Sequence, residues 1–149
     1  MRRGMCFAAV AAMAVAAGCT DPSCTEKIET YTASADAAAP AGGATVAHLD
    51  LAQNFKTYGP VGCSGEPLQS VGVVTATVTN VTPAPIAISF SLQGLTASGV
   101  PAWHFPDTAW VVVPRMDASQ SIDLGVVAST TTKLTGGAKL IITSFEQLP

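Results

Sequence analysis

The chain has 149 residues, a formal charge of −3 and charged side chains at only 11% of positions. That balance excludes a basic stripe for nucleic acid and a polybasic patch for anionic lipid, and the length suits a single domain after processing.

The N-terminus reads Met1-Arg2-Arg3-Gly4, a short positive region, followed by an unbroken apolar run of 13 residues from Met5 to Ala17. A membrane-spanning helix needs about 20 apolar residues, so this run is too short to cross a bilayer. Basic start, short apolar run and small residues at its end describe a cleavable export signal. The ending Ala16-Ala17-Gly18-Cys19 resembles the lipobox of bacterial lipoproteins, although Ala16 stands where Leu is usual. The resemblance covers the first 19 residues and implies that residues 1–18 are removed and that Cys19 carries a lipid. Thr20, rather than Asp, follows the cysteine, which by the same resemblance favours the outer membrane. Two or more acyl chains anchor stably where one does not. The alternative is ordinary cleavage after Ala14-Val15-Ala16, with Cys19 left as a thiol.

Removing residues 1–18 leaves 131 residues with five basic and ten acidic side chains, enough chain to bury a core without a staple. Cys6 leaves with the signal and Cys19 takes the lipid, so Cys24 and Cys63 remain as a pair. In an oxidising envelope such a pair is expected to form a disulfide, the other reading being two buried thiols. Residues 19–44 are rich in Ala, Thr, Ser, Gly and Pro and offer little apolar area to offset the entropy of ordering them. They are predicted to be a flexible tether or a loosely attached edge, with the alternating piece Lys27–Thr32 pinning its first part.

Residues 45–149 are predicted to be an all-β domain. Leu49 and Leu51 alternate. In Val71–Asn80, residues Val74, Ala76 and Val78 share one face, with Val73, Thr75, Thr77 and Thr79 on the other. The prolines of Asn80–Pro85 break that strand. Ile86, Ile88, Phe90 and Leu92 alternate with small or polar residues and mark the clearest strand. Trp110–Val113 is a short apolar run, with Trp110 expected inside. Ile122, Leu124 and Val126 alternate again. Ser129–Leu134 and Ala138–Phe145 read as a hairpin across Gly136-Gly137, since such a pair supplies positive φ angles. About seven short strands without helical crossovers imply an antiparallel β-sandwich, whose rhythm from Val71 to Phe145 resembles immunoglobulin-like and adhesion-type modules of bacterial surfaces.

Chemistry-bearing patterns are sparse. His48, Cys63, His104 and Met116 are the residue types of a blue-copper site, but Cys63 and His104 are too far apart in sequence for its ligand loop, and no Cys/His cluster suggests zinc. There is no G-x-S-x-G elbow, paired-carboxylate signature or phosphate-cradling loop, so neither a catalytic residue, a metal nor a cofactor is predicted. Asn80-Val81-Thr82 matches a glycosylation sequon but reads more simply as the end of a strand. Gly94–Trp110 holds both tryptophans, with Trp103, His104 and Phe105 in a loop broken by Gly99, Pro101 and Pro106. Those three residues either form a binding loop or fold down as a plug over one end of the sandwich. The expectation is a non-enzymatic, lipid-anchored envelope protein whose partners are the membrane, through its lipid, and an envelope protein or glycan. A bracing accessory that works through an uncovered edge strand, or a small hydrolase with His48 or His104 near a carboxylate and a serine, are the alternatives.

Overall fold

The structure, a computed structural model, describes residues 27–57 and 70–149. Eight strands and no helix occur among them: β1 (Lys27–Ala38), β2 (Thr45–Thr57), β3 (Ser70–Asn80), β4 (Ile86–Leu95), β5 (Pro101–Phe105), β6 (Val111–Met116), β7 (Ser121–Thr130) and β8 (Ala138–Gln147). They form two antiparallel sheets, one ordered β1-β2-β3-β7, the other built on β4 with β8 along one side and β5 and β6 along the other. The protein is a β-sandwich. Its core fills with the inward set of each strand: Leu49 and Leu51 of β2, Val74, Ala76 and Val78 of β3, and Ile86, Ile88, Phe90 and Leu92 of β4.

Part of the segment expected to be a flexible tether or a loosely attached edge, pinned over Lys27–Thr32, forms a sheet edge, and the ordered stretch is longer than that piece. Lys27–Ala38 is a full strand, paired to β2 from Lys27↔Thr57 to Ala38↔Thr45. Composition counted only side-chain area, whereas the ladder satisfies the backbone and small Ala33, Ala35 and Ala37 suit its packing on the core. Lys133 also ties this strand down, donating to Glu29 at 2.6 Å and lying over the rings of Tyr31 and Phe55.

The expected hairpin does not form either. β7 belongs to the first sheet and β8 to the second, so residues 131–137 cross between them. The Gly pair serves this crossing. A Cβ on Gly136 would fall 1.6 Å from the Thr96 carbonyl oxygen, because Gly136 N–H donates to Leu95 at 3.0 Å and Leu95 N–H donates to Gly137 at 2.9 Å. Buried Gln53 clips the same segment, donating to the Thr132 carbonyl and accepting from Leu134 N–H, both at 2.9 Å.

The expected alternation through Val126 fails for a local reason. β7 meets β3 through two bulges, each adding one unpaired residue, Leu124 and Val127, on either side of Gly125 at φ 64°. An extra residue reverses the side on which the next one points. Val127 therefore turns inward, and Val126 is 63% exposed.

Candidate functional site

Cys19, the expected lipid site, and Cys24 and Cys63, the expected disulfide, lie outside the described residues. Trp103, His104 and Phe105 are described, and they are not in a loop. They belong to β5, where Trp103 pairs with Gly94, His104 with Gln93 and Phe105 with Leu92. Trp103 and Phe105 are half-buried against the core, which leaves His104 as the member of the trio that faces solvent. The indole N–H of Trp103 is buried and has no hydrogen-bond partner among the described residues.

The unusual feature lies just beyond. β5 and β6 run in the same direction along the same side of β4, β5 opposite Leu92–Leu95 and β6 opposite Ile86–Phe90. They are one edge strand interrupted by residues 106–110. This excursion begins with a cis bond between Phe105 and Pro106 and contains Ala109 at φ 70°, a left-handed conformation that costs a residue with a Cβ about 1 kcal/mol or more. Its last residue, Trp110, is 54% exposed, which corrects the expectation that Trp110 starts a core strand. Size and hydrophobicity argue for burial, but Trp110 falls in phase with the outward set of β6, whose inward positions are Val111 and Val113.

Trp110 alternates with Val112, which is 66% exposed, while Val113 turns into the core. Beside Val112 the outer face of this sheet holds a shallow groove of about 240 Å³, lined by Ala87, Ser89, Val112, Pro114, Ser144 and Glu146. Large apolar surfaces presented next to small hydroxyls and a carboxylate suit a partner with both apolar and hydrogen-bonding faces. The sequence held a signal for this, Pro106-Asp107-Thr108-Ala109 immediately before Trp110, since turn-formers ahead of an aromatic point to a presented side chain.

A second polar constellation covers the outer face of the first sheet. Asp36 of β1 lies opposite His48 of β2. His48 Nδ1 is 2.5 Å from Asp36 and Nε2 is 3.3 Å from Asp50. The hydrogen bond to Asp36, with the charge of both carboxylates, raises the imidazole pKa above 6.5. Thr79 and Ser121 continue the same row, but their hydroxyls bond each other at 2.8 Å. Histidine and serine therefore share a row without forming a base–nucleophile pair. Next to them lies an open trough of about 580 Å³ lined by Thr32, Ser34, Asp50, Thr75, Thr77 and Asp123 among others. His48 sits on this sheet, His104 on the other, and Met116 is fully buried, so the three are not gathered for copper. Among the described residues no group of three His, Cys, Asp or Glu side chains is placed to hold a metal ion.

Asn80 is a structural hub. Its amide nitrogen donates to the carbonyls of Ala84, Met116 and Asp117 at 2.9–3.0 Å, and its oxygen accepts from the backbone and hydroxyl of Thr82. Fully buried and committed in this way, it closes the β3–β4 turn and offers no nitrogen to a glycan.

No known protein family, curated protein or solved structure matches the chain.

Proposed function

We propose that this chain is a non-enzymatic, lipid-anchored envelope protein that holds a β-sandwich away from a membrane and binds another envelope component. Cys19 is the anchor in this reading, and the outer face of the β4 sheet around Trp110 and Val112 is the binding surface. The carrying observation is Trp110 itself, exposed at the end of an excursion that includes a left-handed alanine. A tryptophan held outward against both hydrophobicity and backbone preference is what a recognition surface requires.

Two measurements test the two halves of the reading. A fatty-acid analogue should label the wild-type chain and not Cys19→Ala; equal labelling of both would remove the anchor. Capture from detergent-solubilised envelopes should yield a partner with wild type that is lost with Trp110→Ala, whose circular dichroism spectrum should match that of wild type. Equal capture by both proteins would remove Trp110 from any binding role.

A further inference from the structure

A β-sandwich of two open sheets has exposed edges, and an unblunted edge pairs with other chains. Three of the edges here are broken. β7 meets its neighbour through two bulges. β8 has a register shift opposite Ser89 and Phe90. The remaining edge of that sheet is interrupted by residues 106–110 and carries Pro101 and Pro114 within β5 and β6. β1 differs from all of these. It runs from Lys27 to Ala37 in one unbroken register, and its centre, Thr30–Ala35, contains neither a proline nor a charge. Among the described residues nothing pairs with its far side.

We propose that β1 is the pairing edge for a second copy of this chain, which adds antiparallel, β1 to β1, and joins two four-stranded sheets into one. The strand's own sequence argues for a second copy. A twofold axis through Thr32 pairs the whole regular stretch and keeps the two faces aligned. On the outer face it sets Thr32 against Thr32, Thr30 against Ser34 and Ile28 against Asp36. On the inner face it sets Tyr31 against Ala33, Glu29 against Ala35 and Lys27 against Ala37. Every charged residue meets an uncharged one, and the bulky Tyr31 and Glu29 each meet an alanine. Like charges directly opposite would have opposed such pairing. Thr32 itself is exposed on the outer face.

The register makes the test specific. Directly opposed residues of an antiparallel pair have Cα atoms about 4.5–5.5 Å apart, which suits a disulfide. Thr32→Cys in the full-length exported chain should therefore give a covalent dimer on non-reducing gels, with the bond mapped to position 32 by mass spectrometry. Ile28→Cys should not link to itself, because the two positions would lie about 27 Å apart along the strands. In sedimentation, wild type should dimerise in the micromolar range, while Thr32→Lys, which brings two like charges together on the axis, should be monomeric with an unchanged circular dichroism spectrum. A wild-type chain that stays monomeric throughout that range, including one that instead binds the strand of another protein, overturns the proposal. So does a dimer that survives Thr32→Lys. Because β1 and Trp110 lie on different sheets, loss of either function leaves the other testable.

Discussion

The indole of Trp103 occupies the space that a side chain on Gly94 would need. A Cβ at Gly94 would lie 2.5 Å from Trp103 Nε1 and 2.7 Å from Leu134 Cδ2, so the glycine is required for the ring to lie across β4. Gly94→Ala should overpack this end of the sandwich and cost about 1–3 kcal/mol, read as a lower urea midpoint. Trp103→Phe tests the ring separately from its N–H. It removes a buried donor whose missing hydrogen bond costs about 1–3 kcal/mol, and should be far milder than Trp103→Ala, which removes the ring. Equal losses for both would show that the N–H is hydrogen-bonded after all and that the ring adds little.

Trp110 should behave in the opposite way. Exposed substitutions usually fall within about 0.5 kcal/mol of wild type, so Trp110→Ala and Val112→Ser should leave the midpoint nearly unmoved. A loss of several kcal/mol at Trp110 would place it in the core and remove the proposed binding surface.

Asn80→Ala should lose about 2–4 kcal/mol, since it strands buried carbonyls and the Thr82 donors. Asn80→Asp should be at least as damaging, because it turns a donor into an acceptor facing three carbonyl oxygens. Midpoints of both variants in urea decide this, and near-wild-type values would refute the hub.

His48 gives a pH dependence with a definite sign. Its folded pKa is raised, so the stability from its contacts with Asp36 and Asp50 is fully present below the unfolded value of 6.5 and is lost as pH rises through the folded value. The imidazole is partly exposed, so solvent keeps the effect small. Its NMR titration in the folded chain should lie above 6.5, and His48→Gln should flatten the fall in melting temperature across that window. A titration at or below 6.5 would show that Asp36 does not hold the proton.

Cys24 and Cys63 are expected to be joined in the exported chain. Alkylation followed by intact mass should find them blocked only after reduction, and modification without reductant would show two thiols.

Much of the sandwich was legible in the sequence wherever period and burial coincide. Ile86, Ile88, Phe90 and Leu92 announced β4, and Val74, Ala76 and Val78 announced β3. β1 was obscured because Ala, Ser and Thr advertise no burial, and a backbone ladder leaves no trace in composition. Val126 points outward against its sequence period because a bulge adds a residue that nothing but Gly125 marks. Gly136 and Gly137 read as a hairpin turn, yet Gly136 is needed for close approach to Leu95 and Thr96, neighbours brought in by the fold, and Gly137 for its φ of 94°. The aromatic segment stands out in the sequence, but residue type alone does not tell which of its aromatics is exposed. Trp103 and Phe105 lie on the inward side of β5, whereas Trp110 falls in phase with exposed Val112.

The pairing of β4 with β8 also sets a timetable. β4 is the most buried strand, yet nine of its residues, Ile86 to Gly94, wait for partners between Ala138 and Gln147. Contacts so distant in sequence form slowly. A chain made from its N-terminus therefore leaves one side of its most buried strand unpaired until the last strand emerges, while β5 and β6 supply the other side. In that interval the β8 side of β4, Phe90 included, is open to wrong pairing.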